Sequence, residues 1–177
     1  MKTTAVRLHG AMDLRLETFE LPEITADEVL LRFVQELQTQ GHTVRGLVQL
    51  ECAAPRDPVI LHDLATGRRF TISQSLGAGS TACNLNPHML AEASAVLRTA
   101  LTETPPPALL TLNRFGPQEA EGRGLRQDLA DAAVRGIPLL TILNPRWLPH
   151  WRQFSDGQSC ELIPTLEALR QWWQGTA

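Results

Sequence analysis

Two nearly unbroken apolar runs, Ala108-Leu109-Leu110-Thr111-Leu112 and Ile137-Pro138-Leu139-Leu140-Thr141-Ile142-Leu143, decide the fold of this chain. Neither alternates apolar with polar residues. Each therefore suits a strand covered on both faces, as in a parallel sheet flanked by helices. Between them the spacing predicts a helix over residues 117–135, with Leu125, Leu129 and Ala133 directed inward and Gly136 ending it. Upstream, Asn86-Pro87 pairs a good N-cap with proline at the first helical position. The helix it opens runs to about residue 103, carries Leu90, Ala93, Val96, Leu97, Ala100 and Leu101 as one apolar stripe, and is stopped by Pro105-Pro106-Pro107. Strand and helix in alternation imply right-handed crossovers and a three-layer α/β domain with a mostly parallel sheet.

Further out, Leu30, Phe33, Val34 and Leu37 mark a helix over 26–40, opened by Thr25 as N-cap with Glu28 three residues on, and closed by Gly41. Residues 44–50, 58–64 and 69–73 read as strands, the last two separated by the turn Ala65-Thr66-Gly67. Residues 4–8 and 14–19, on either side of Gly10, read as two strands able to pair with each other. Past Asn144-Pro145 the tail holds two Trp-rich helical pieces with a short strand near 160–163.

The 177 residues suffice for a single domain with a core. At 43% hydrophobic and 20% charged, the chain is neither disordered nor fibrous. The net charge of −3 lacks the broad basic footprint of a nucleic-acid binder, so no nucleic-acid partner is expected. No apolar run approaches the length of a membrane span, so no membrane insertion and a cytoplasmic location are expected. Lys2 is the only lysine. That excludes a Schiff-base lysine, a lysine general base and a phosphate-loop lysine beyond the first few residues. Cys52, Cys83 and Cys160 are widely spaced, and His9, His42, His62, His88 and His150 form no ligand pattern, so no metal site is expected.

Two stretches have residues suited to chemistry. In residues 73–83, Gly77 and Gly79 let backbone N–H groups converge, while Ser75, Ser80 and Thr81 add hydroxyl donors, the composition of an anion nest and equally of a flexible connection. In residues 113–124, which leave a strand end, Asn113, Arg114, Gln118, Glu119 and Arg123 concentrate amides, charges and forked donors where ligands gather in parallel sheets. The alternative is a solvated loop with Glu119 and Arg123 paired at helical spacing. The tryptophans 147, 151, 172 and 173 suit core caps or an oligomer contact, so a homo-oligomer stays open.

Through Arg45-Gly46-Leu47-Val48-Gln49, Asp63-Leu64-Ala65-Thr66-Gly67, residues 72–79 and the string 113–124, the chain from about 28 to 174 resembles a bacterial domain-of-unknown-function family found near molybdate-transport genes. That family in turn resembles the small phosphate-loop nucleoside triphosphatases, which implies a phosphate-loop-NTPase-like fold. No GxxxxGK[ST] Walker A loop is present, however, and Asn113-Arg114 stands where an acidic pair would help hold magnesium. Ordinary nucleotide hydrolysis is accordingly not expected. The resemblance implies a module for a small anionic ligand, molybdate-like or phosphorylated, linked to molybdenum metabolism. The rivals are a divergent nucleotide hydrolase or phosphotransferase with Glu119 or Glu121 as base, and a non-catalytic interaction subunit. No cofactor and no catalytic residue is assigned.

Residues 1–30, through Thr4-Ala5-Val6-Arg7 and Leu21-Pro22-Glu23-Ile24, resemble the amino-terminal opening of zinc-dependent medium-chain alcohol dehydrogenases. Neither that family's zinc ligands nor a GxGxxG fingerprint follows. The expected organisation is an N-terminal segment 1–30, from a fusion or a mis-joined start, and a single α/β domain over 31–177.

Overall fold

The computed structural model describes residues 3–7, 25–49, 58–73 and 85–176. Among these residues seven strands form one sheet in the order β4-β3-β2-β5-β6-β1-β7: β1 Thr3–Arg7, β2 Val44–Gln49, β3 Ile60–Asp63, β4 Arg69–Thr71, β5 Leu109–Phe115, β6 Leu139–Leu143 and β7 Ser159–Leu162. The five strands β2, β5, β6, β1 and β7 are parallel. Only β3 and β4, the excursion expected at 58–73, run antiparallel to their neighbours.

The helices are α1 Ala26–Thr39, α2 Pro87–Leu101, α3 Pro117–Ala120, α4 Arg126–Val134, α5 Leu148–Ser155 and α6 Leu166–Gln174. On one face α1 and α6 pack with Val44, Val48, Leu109, Leu140 and Ile142. On the other, α2, α4 and α5 enclose Leu47, Leu110, Leu112, Leu139 and Leu143. All five β6 residues are buried, in keeping with a sequence that is apolar except for Thr141: successive side chains serve opposite cores. The crossover from β1 passes through α1 and that from β6 through α5, so the connections leave adjacent strands toward opposite faces. That is the switch point at which open α/β sheets admit ligands, beyond the strands' carboxyl ends.

Local signals hold closely at the helix starts. Glu28 N–H donates to Thr25 Oγ1 (3.2 Å) while Thr25 N–H donates to Glu28 Oε2 (3.1 Å), a reciprocal capping box at α1. Asn86 Oδ1 accepts from the N–H groups of His88 and Met89 at α2. The seam expected near residue 30 falls within α1, whose Ala26, Val29, Leu30, Phe33, Val34 and Leu37 all belong to one core.

Two expectations need correction. Strand β1 lies between β6 and β7 and is parallel to both, so it is an interior strand instead of half a hairpin with 14–19, which is outside the described residues. The single helix expected over 117–135 is two, α3 and α4, separated by a turn at Gly122 to Gly124. Within α4 the inward residue is Ala132, while Ala133 is only half-buried.

Strand β2 carries one unusual residue. Gly46 has φ +116°, and a Cβ there would lie 2.0 Å from the carbonyl oxygen of Thr111 on β5. Its own carbonyl accepts from Leu64 N–H (3.0 Å), which ties the turn after β3 back to the sheet. Only glycine meets both the close approach and the backbone conformation. Gly46→Ala is expected to destabilise the fold by about 2–4 kcal/mol through strain and overpacking, read as a lower urea midpoint with an unchanged m value.

Candidate functional site

Strand ends converge at one edge. Arg7 of β1 and Phe115 of β5 are both in register with Leu143 of β6, so these three strands finish side by side. Helix α1, antiparallel to the strands, begins at the same edge.

The register of β5 on β6 jumps from Leu112 opposite Thr141 to Arg114 opposite Ile142. Asn113 is therefore the extra backbone residue of a β-bulge, two positions before the strand ends. The bulge changes which face the following side chain serves. Leu112 and Phe115 both enter the core of α2, α4 and α5, whereas Arg114 turns to the opposite layer and donates through Nη2 to Asp27 Oδ2 in the first turn of α1. The Asp27 side chain is 10% exposed and that of Arg114 34%. Arg114 Nε is buried without a hydrogen-bond partner among the described residues. An unsatisfied buried donor costs about 1–3 kcal/mol, which makes it a departure from the normal rule that calls for an explanation.

The remaining residues of the 113–124 string divide by role. Glu119 is buried, and its two carboxylate oxygens accept from Gly116 N–H and Leu125 N–H, each at 3.0 Å. It joins the end of β5 to the start of α4 and thereby sets the turn that splits the expected helix. Gly124 has φ +61°, and a Cβ there would stand 2.2 Å from Glu119 Oε1, so the carboxylate occupies space that only glycine leaves. Arg123 does not pair with Glu119. It bonds Gln118 Oε1 through Nε (3.0 Å) and pairs with Glu121 on the exposed surface. Of this string, then, Arg114 faces α1, Glu119 is an internal fastener, and Gln118 with Arg123 form a separate surface cluster.

Ser75, Gly77, Gly79, Ser80 and Thr81 lie outside the described residues. Their flanks do not: Ser73 and Leu85 form an antiparallel bridge, and Asn86 N–H donates to Ile72 O at 2.7 Å. Ser73 and Leu85 therefore stand side by side just beyond β4. Three strand spacings separate β4 from β5, roughly 14 Å.

Other polar groups act structurally. Asp63 Oδ1 accepts from Ala65 N–H (2.9 Å) and Oδ2 from the Thr66 hydroxyl (2.5 Å), so the 63–67 string is a self-capped turn. Asp128 is buried between α4 and α2, where burial raises its pKa against the opposing effect of the Ser94 hydroxyl bonded to it at 2.8 Å. Trp151 is buried, meets Phe115 edge-on, and donates to Ser159 Oγ. Trp173 packs edge-on against Phe33 and His42. A shallow cavity of about 510 Å³ lies between α1 and α6, lined by Arg32, Gln35, Glu36, Thr39, Gln40 and Leu166, away from the strand ends. Glu36 there is gripped by Arg170 through two bonds, which hold its carboxyl below the usual range. Among the described residues no cluster of His, Cys, Asp and Glu could hold a metal ion, and no helix is long and apolar enough to cross a membrane.

Sequence reading missed Asp27, an acidic residue in the first turn of α1 that lies 87 positions from Arg114 in the chain.

Sheet order and layers define an α/β domain with a mostly parallel sheet covered by helices on both faces. The solved structure of THEP1 from the hyperthermophile Aquifex aeolicus has this fold, with a TM-score of 0.61 over 100% of this chain and 97% of that one at 13% identity. The chain belongs to the family described as "Protein of unknown function (DUF2478)", whose model matches residues 20–172. It is 34% identical over 162 residues to the molybdenum import ATP-binding protein ModC 2 of Bradyrhizobium diazoefficiens, covering 88% of this chain but only 18% of that protein. A stretch of 34 residues, 19% of this chain, is 59% identical to 8% of L-sorbose 1-phosphate reductase from Klebsiella pneumoniae.

If Glu119 is the fastener its geometry describes, Glu119→Gln replaces one acceptor by an amide that faces a backbone N–H. The expected loss is about 1–3 kcal/mol of unfolding free energy, measured in urea.

Proposed function

We propose that this chain binds a small oxyanion or phosphorylated ligand at the carboxyl edge of its sheet, in a role linked to molybdenum handling. The observation that carries the reading is Arg114. A bulge delivers its guanidinium to the strand ends, Asp27 holds one nitrogen, and a third of the side chain is open to solvent. A guanidinium presents five N–H donors in a fixed plane, so one carboxylate contact leaves donors for a tetrahedral anion. In this reading Gly77 and Gly79, with Ser75, Ser80 and Thr81, supply backbone N–H and hydroxyl donors that orient the ligand. The molybdenum link rests on ModC 2, of which this chain matches 18% of the length.

A hydrolase or phosphotransferase reading is less well supported. Glu119, its foremost candidate base, spends both oxygens on backbone amides. An interaction module built on the tryptophans has less to use, because Trp151 and Trp173 are engaged within the fold.

A thermal-shift screen with molybdate, tungstate, sulfate, phosphate and nucleotides tests the reading. A ligand at 100 times its Kd adds about 2.7 kcal/mol, a rise of about 5–10 °C for a chain of this size. Arg114→Ala should weaken binding of the best anion by about ten- to a hundredfold in calorimetry, with circular dichroism unchanged. Arg114→Lys should restore binding only in part, since a point charge lacks the planar fork. Equal binding by Arg114→Ala and the parent would overturn the reading.

A further inference from the structure

We infer that Asp27 makes the carboxyl-edge site selective for an anion that still carries a proton, placing hydrogen phosphate ahead of sulfate and molybdate. The inference rests on the anion-binding reading above and names the class of ligand the same site takes. Asp27 is nine-tenths buried, and its Oδ2 accepts from Arg114 Nη2. A ligand oxygen bound to that same guanidinium would consequently be a near neighbour of the Asp27 carboxylate. Two negatively charged oxygens sharing one guanidinium repel each other, and the low local dielectric around a buried carboxylate strengthens the repulsion.

A proton between them reverses the sign. If the ligand bears an O–H, that hydroxyl donates to the carboxylate, and the repulsion becomes a short charge-assisted hydrogen bond. At neutral pH inorganic phosphate retains at least one proton on oxygen, whereas sulfate and molybdate retain none. Discrimination thus arises from a group that penalises the wrong ligand as much as it favours the right one. Asp27 is a specificity residue in this account and takes part in no bond making or breaking.

The test compares calorimetric affinities for phosphate, sulfate and molybdate in the full chain and in Asp27→Asn. The full chain should bind phosphate at least about tenfold more tightly than sulfate or molybdate, the effect of one charge-assisted hydrogen bond. Asp27→Asn should bring the three affinities to within about threefold of one another, because its amide can both donate and accept. A purely structural role for Asp27 would lower the melting temperature without moving the ratio. Wild-type protein that binds molybdate or sulfate as tightly as phosphate overturns the inference while preserving the anion-binding reading, and so does an unchanged ratio in the variant. Absence of binding by all three anions overturns both. Should Asp27→Asn fail to fold, the wild-type ratio alone still decides.

Discussion

Strict alternation along β5 would put Arg114 on the same face as Leu112, inside the apolar layer made by α2, α4 and α5. A guanidinium buried there without a counter-ion would cost several kcal/mol. The extra residue at Asn113 removes that conflict by advancing the backbone half a pleat, which sends Arg114 to the α1 side and returns Phe115 to the core beside Trp151. The constraint reaches beyond the strand. Phe115 anchors the far core, Gly116 directly after it enters the Glu119 clasp, and Arg114 binds the first turn of α1. One inserted residue thereby determines how the two layers meet at the carboxyl edge.

Glu119 and Asp27 divide the acidic work at that edge. Glu119 is surrounded by backbone donors and closes a turn. Asp27 sits against a charged side chain that is partly open to solvent. This contrast is why the proposed anion site centres on Arg114 with Asp27 and not on the whole polar string. Lys2 is the only lysine of the sequence, so the cation at this edge is an arginine fork.

Much of the fold is legible in the sequence because its signals are local. The runs at 108–112 and 137–143 identify doubly covered strands, Thr25 with Glu28 and Asn86 with Pro87 identify helix starts, and the 58–73 excursion follows from its turn. What escapes sequence reading depends on distant partners. The bulge at Asn113 exists only in register with β6, and the Asp27 contact spans 87 positions. The break between α3 and α4 arises because a buried carboxylate claims the amide that a continuous helix would use. The place of β1 between β6 and β7 is likewise a property of the assembled sheet. Of the candidate site, Arg114 was identifiable by residue type and position, and its partner was not.

The most direct measurement is a double-mutant cycle between Asp27 and Arg114, with Asp27→Ala, Arg114→Ala and the double variant unfolded in urea. If the bulge brings Arg114 onto α1 as a partly buried ion pair, the coupling free energy should be about 1–3 kcal/mol, favourable to the pair. Additive losses, with coupling below about 0.3 kcal/mol, would mean that the two side chains do not meet and would contradict the account.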